Sequence, residues 1–211
     1  MYKRTRIKVC GMAQAHQVKV AVNNGVDAIG VILHANSPRT ISLDSALSIR
    51  AEIPAFVTMV GVFVNADREF IESSIQVLNL DLIQLHGDET NEFGTSLSRP
   101  FIKAIRANTA EQVNNDITRF PAAQALLLDP YVEGQHGGTG LVLNTSLWPQ
   151  NQAQSLILAG GLSPDNVAQK VSALKPYAVD LNSGIEDSPG NKNSDLMQQA
   201  FDAVCKADND I

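Results

Sequence analysis

Apolar residues along this chain gather into short runs that recur about every 25 residues, the spacing of strands alternating with helices. Leu156-Ile157-Leu158-Ala159 is typical. Such a run is too short for a helix and suits a strand buried on both faces. Seven more strands follow from the same pattern: Arg6 to Cys10, Asp27 to Leu33, Phe56 to Val64, Leu82 to Leu85, Phe101 to Arg106, Gln124 to Leu128 and Ala178 to Leu181. Between them lie amphipathic stretches with helix signals. His16 to Asn24 closes at Gly25. Ser42 offers an N-cap for Asp44 to Ile53, and Asp67 to Leu80 and Asn91 to Leu97 read as helices. Thr109 caps a helix running to Arg119, and Ser163-Pro164 opens one through Asn166 to Val171.

Strand alternating with helix throughout is the pattern of a parallel sheet. Eight strands favour closure into a single (β/α)8 TIM barrel over an open sheet, because no G-x-G-x-x-G follows the first strand. At 211 residues the chain lies near the lower limit for such a barrel. Residues 1–211 are therefore read as one α/β domain with short loops, since no linker or charge block marks a second.

Composition narrows the function. The net charge of −6 argues against nucleic acid as a partner. No stretch approaches a membrane span, and the basic N-terminus lacks the apolar run of a signal peptide. A cytoplasmic enzyme is expected, either monomer or homodimer. Cys10 and Cys205 belong to no metal-ligand spacing. No metal site is expected, and His16, His34 and His136 are given no ligand role.

In a βα barrel the chemistry sits at the carboxyl ends of the strands. The polar residues there are Cys10, His34, Arg39, Asn65, His86, Arg106, Asp129 and Asp180. Gly160-Gly161 ends the seventh strand, and Asn182-Ser183-Gly184 ends the eighth. Two consecutive strands ending in small residues match the phosphate site of many such barrels, although Gly-Gly also serves a tight turn. Cys10 before a glycine reads as a buried hydrophobe, or as a base or nucleophile if positive potential favours its thiolate. Asp129, straight after three leucines, reads as an N-cap, as a turn residue with Pro130, or as an acid whose pKa burial raises. Arg39 can grip a carboxylate or phosphate, or remain a solvated loop residue. His86 is a donor or packs over its strand end. Gly137-Gly138-Thr139-Gly140 reads as a mobile or backbone-donating loop after the sixth strand. Cys205 is read as packing in the last helix.

Taken together, KVCGM, NSPRTIS, GVFVN, IQLHGDE, IKAIR, LLLDP, GGTG, LAGGLSPDNV and VDLNSGIEDSPGNK, in this order, resemble the phosphoribosylanthranilate isomerase family over nearly the whole chain. The resemblance implies Cys10 as general base, Asp129 as general acid and Arg39 on the anthranilate carboxylate. It also implies Asp180 facing the ribose, and Gly160, Gly161, Ser183 and Gly184 on the phosphate; His86, as a donor at its strand end, is counted with Arg39 and Asp180 among the substrate-binding residues. It implies an Amadori rearrangement of a small phosphoribosyl substrate in tryptophan biosynthesis, with no metal and no cofactor. The chain departs from the family after GGTG, where Leu141 and then Leu143-Asn144-Thr145 replace the usual Lys and Phe-Asp-Trp. Val31-Ile32-Leu33 stands where aromatics are frequent, and Asn193 where Asp is usual. Two other functions compete: an isomerase or epimerase of another phosphosugar, and a barrel that binds phosphate without turnover.

Overall fold

The computed structural model describes residues 4–130, 142–150 and 153–209. Eight parallel strands close into a barrel in sequence order. They are β1 (Arg6–Val9), β2 (Ala28–His34), β3 (Thr58–Phe63), β4 (Leu82–Leu85), β5 (Phe101–Ala107), β6 (Ala125–Pro130), β7 (Ser155–Leu158) and β8 (Ala178–Leu181). Closure is made by β1 against β8, with Arg6 opposite Ala178 and Val9 opposite Leu181. The helices are α1 (Ala15–Asn23), α2 (Leu43–Arg50), α3 (Arg68–Leu78), α4 (Asn91–Thr95), α5 (Ala110–Arg119), α6 (Val167–Leu174) and α7 (Ser194–Asn209).

The strands are apolar on both faces because each face meets protein. Inward residues from β5 to β8 fill the barrel with Ile102, Ala104, Ala125, Leu127, Ile157, Ala159 and Ala178. Outward residues pack against the helix ring as one large cluster. Helix α3 shows how the ring is held. Ile71, Ser74, Ile75 and Leu78 recur at helical spacing and are all buried. Each such aliphatic side chain contributes roughly 1.5–3 kcal/mol by leaving water. The helix ends at Asn79, which adopts the left-handed conformation at φ 47°.

Four expectations change. Phe56 is not in a strand but precedes β3, fully exposed and at φ 70°. Ser163 does not cap α6: residues 164–166 form a turn, and the helix begins at Val167. The Ser163 carbonyl accepts from both Asn166 N and Val167 N, so the turn runs directly into the helix. Between β6 and β7 the described residues contain no α-helix, only a 3₁₀ turn at Thr145–Leu147. Cys205 lies on the exposed side of α7 rather than packed. A hairpin not foreseen, β9 (Glu186–Ser188) with β10 (Asn191–Lys192), follows β8. His136, Gly137-Gly138-Thr139-Gly140 and Leu141 lie outside the described residues.

Candidate active site

The alternation of side chains along a strand decides what reaches the barrel interior. On β1, Lys8 and Cys10 lie two residues apart, and a Cβ built on Gly30 would meet both, 3.1 Å from Lys8 Nζ and 3.0 Å from Cys10 Sγ. The glycine therefore leaves room for the pair. Cys10 is buried, with Ile32 and Val62 as apolar neighbours. Lys8 Nζ donates to both carboxylate oxygens of Asp180, each at 2.9 Å.

Burial pushes the Cys10 thiol above its ordinary pKa. Lys8 and Lys192 pull it down and Asp180 pushes it up, and desolvation prevails. The expected lowering by positive potential is thus outweighed. Burial likewise raises Asp180, more than its bonds to Lys8 lower it.

Asp129 is the next-to-last residue of the wholly buried β6. Its Oδ2 lies 3.5 Å from His86 Nε2, and His86 Nδ1 is 2.8 Å from Gln84 Nε2. The structure thus brings Asp129, His86 and Asp180 into one electrostatic neighbourhood.

Arg39 is not a solvated loop residue. Its loop folds back onto β2 through Ile41 N to Ile32 O at 3.0 Å, and the side chain is only 9% exposed. Nε donates to both oxygens of Glu186 at 3.0 Å, and Nη2 donates to Oε2 at 2.7 Å. Lys192 Nζ donates to Glu186 Oε1 at 2.6 Å and to Asn182 Oδ1 at 2.8 Å. Burial pushes Glu186 up, but the bonds from Arg39 and Lys192 hold it below the usual carboxylate range. Gly11, at φ 68°, lets this group close over the end of β1. A Cβ there would come within 2.8 Å of both Arg39 Cδ and Asn182 Oδ1.

The two small-residue turns after β7 and β8 are pressed together. A Cβ on Gly184 would stand 2.0 Å from the Leu162 carbonyl oxygen. Gly160 and Gly161 have φ of 87° and 54°. Asn166 clamps the first turn, accepting from Ser163 N at 3.0 Å and donating to Gly161 O at 2.9 Å. Among the described residues, the N–H groups of Gly160 and Gly161 meet no acceptor. Free N–H groups in a turn of this kind can receive an anion.

Lys8, Gln84, Glu186 and Lys192 escaped the sequence reading. Lys8 had a signal, since it shares the inward face of β1 with Cys10. Glu89 and Lys103 were also missed. They form a buried pair at 3.0 Å, and Glu89 also accepts from Asn65 N and Gly87 N, joining the ends of β3, β4 and β5. His34 points away, bonded to Val64 O, and Arg106 is tied to Asp88. Among the described residues, no cluster of three or more His, Cys, Asp or Glu could hold a metal ion. No helix there is long and apolar enough to cross a membrane.

A closed (β/α)8 barrel whose strand ends carry a buried thiol and buried carboxylates, with two glycine-bearing turns pressed together after its last two strands, has the architecture of the (β/α)8 barrel enzymes. The family model for N-(5′-phosphoribosyl)anthranilate isomerase matches residues 7–203, and the chain belongs to that family. The N-(5′-phosphoribosyl)anthranilate isomerase of Pseudomonas fluorescens is 43% identical over 94% of this chain and 98% of its own length. The phosphoribosyl anthranilate isomerase of Thermotoga maritima superposes with a TM-score of 0.88 at 30% identity, over 96% of this chain and 99% of that one. Another such isomerase, solved with reduced 1-(o-carboxyphenylamino)-1-deoxyribulose 5-phosphate, gives a TM-score of 0.84 at 29% identity over the same shares.

Proposed function

We propose that this protein converts N-(5-phosphoribosyl)anthranilate to 1-(2-carboxyphenylamino)-1-deoxyribulose 5-phosphate, an Amadori rearrangement in tryptophan biosynthesis. Family membership supports the reaction. The observation that supports the residue assignment is one buried thiol and one buried carboxyl group at the carboxyl ends of different strands of the same barrel, Cys10 after β1 and Asp129 on β6.

Each group has one task. Asp129 protonates the ribose ring oxygen, the C1′–O bond breaks, and the anilino nitrogen's electron pair forms the Schiff base. Cys10, as thiolate, removes the C2′ proton to give the enolamine. Protonation at C1′ and loss of the C2′ hydroxyl proton complete the ketose, with no net gain or loss of protons. The phosphate rests on the N–H groups of Gly160, Gly161, Ser183 and Gly184. Arg39 receives the anthranilate carboxylate. Its bonds to Glu186 use Nε and Nη2, while Nη1 meets no acceptor among the described residues. Asp180 and His86 face the ribose. The two cysteines are unpaired, which suits the reducing cytoplasm.

The test is the decay of substrate fluorescence on adding the purified protein, repeated with Asp129→Asn. Turnover by the wild type and a loss of at least about a hundredfold in kcat in the variant are expected, the usual weight of a general acid. A variant that turns over like the wild type removes Asp129 from the mechanism. Wild-type turnover of another phosphosugar alone would favour the competing isomerase.

A further inference from the structure

The inward face of β4 carries Gln84 and His86, and Gln84 is 1% exposed. Its side-chain nitrogen lies 2.8 Å from His86 Nδ1. An amide nitrogen only donates, so Nδ1 must accept with its lone pair. A neutral ring then carries its one proton on Nε2, the atom 3.5 Å from Asp129 Oδ2. Nε2 and Gln84 Oε1 are both buried, and neither has a hydrogen-bond partner among the described residues. An unspent buried donor aimed at the carboxyl group calls for an explanation.

We propose that Gln84 is a positioning residue for the acid step, holding His86 as the neutral Nε2–H tautomer. This rests on Asp129 being the acid of the proposed isomerisation. The tautomer decides what the ring can do to the acid. With the lone pair on Nε2, the ring would accept the acid's hydrogen in competition with the substrate oxygen. With Nε2–H facing Asp129, the ring has no lone pair to offer there. Once the acid's proton has gone to the substrate, the carboxylate left behind can draw in the Nε2–H as a hydrogen bond.

The charged groups nearest the ring are Asp129 on β6 and Asp180 on β8, with Lys8 on β1 bonded to it, and Lys103 on β5, which donates to the carbonyls of Leu85 and Gly87 on either side of His86 and pairs with Glu89. Gln84 is the neutral member of this set, which is why it can fix the tautomer without adding charge.

Two measurements test the proposal. The first is the long-range nitrogen–proton spectrum of His86 in the substrate-free wild type at neutral pH, identified by its loss in His86→Asn. A protonated Nε2 and a bare Nδ1 are expected; a protonated Nδ1 overturns the proposal, whatever the activity. The second uses Gln84→Glu and Gln84→Leu. The Glu carboxylate accepts from Nδ1–H, so the ring should show Nδ1 protonation. Its kcat should fall about tenfold to a hundredfold, the usual weight of a residue acting through another. KM should change little. Gln84→Leu should mix the tautomers, with a smaller fall. Unchanged kcat in both variants overturns the proposal. Failure of the function reading would look different: the expected tautomer in a wild type that does not turn over the substrate.

Discussion

Glu186→Gln probes the contact on which the placement of Arg39 depends. The carboxylate accepts three short bonds from Arg39 and one from Lys192, with all three side chains at most 9% exposed. Removing one partner of a buried ion pair costs about 3–5 kcal/mol, because the opposite charge is stranded. Glutamine keeps one acceptor oxygen, so the lower end, about 3 kcal/mol, is expected. For a domain of this size each kcal/mol moves Tm by about 2–4 °C, so the variant should melt about 6–12 °C lower. Arg39 also loses its fixed edge. A charge-assisted bond is worth about 1.5–3 kcal/mol, so KM for the anthranilate substrate should rise roughly tenfold to a hundredfold, with kcat changing less. The sign with pH follows from the held-down carboxyl group. A depressed folded-state pKa stabilises above the ordinary carboxylate value, near ~4.3, and the contribution disappears as pH falls through the folded value. Wild-type stability should therefore fall off below about pH 4, while the variant's curve stays flatter there. Thermal unfolding by circular dichroism and steady-state fluorescence assays give both numbers. A Tm within a degree of wild type would refute the stability argument. A lowered KM would refute the positioning argument, since Glu186 would then be competing with the substrate carboxylate.

For Cys10, burial raises the thiol, so the acid limb of kcat/KM should have its midpoint above the ordinary thiol value near ~8.5. Cys10→Ser should abolish that limb and lower kcat at least about a hundredfold, and a limb that survives the substitution assigns it to another group. Gly184→Ala places a methyl group 2.0 Å from the Leu162 carbonyl, so the two turns must separate. Competition by inorganic phosphate, measured as its inhibition constant, should weaken several-fold, and unchanged inhibition would move the phosphate elsewhere.

The barrel was legible because its signal is local. Each strand is an apolar run, and most helices carry a hydroxyl cap or a glycine stop. Thr109, for example, accepts from Gln112 N as its position suggested. The misreadings arose where local chemistry had two outcomes. Ser163-Pro164 can begin a helix, but Asn166, three residues on, takes the Ser163 N–H with its own side chain and builds a turn first. Phe56 has a strand former's side chain, yet a positive φ, which excludes it from the strand. In the site, the residues at strand ends could be named, but the contacts that hold them could not. Arg39 meets Glu186 across 147 positions and Lys8 meets Asp180 across 172. Periodicity tells which face a residue occupies, not which residue stands opposite.

That limit bears on how the mouth is built. Lys8 with Asp180, and Arg39 and Lys192 with Glu186, are taken out of water at the same end of the barrel. Replacing such groups by apolar ones is often neutral or stabilising, so stability alone does not account for them. Their arrangement has a common feature: each fixes a residue to which the proposed reaction gives a task. Lys8 stands beside the Cys10 thiol and fixes Asp180. Glu186 fixes the Arg39 edge that leaves Nη1 for a carboxylate. Gln84 does for His86 without charge what the ion pairs do with it. A rearrangement that moves protons between oxygen and carbon needs its acid and base held apart, each in its own protonation state. A barrel keeps them apart by growing them from different strands, and the buried partners keep the two proton sites distinct.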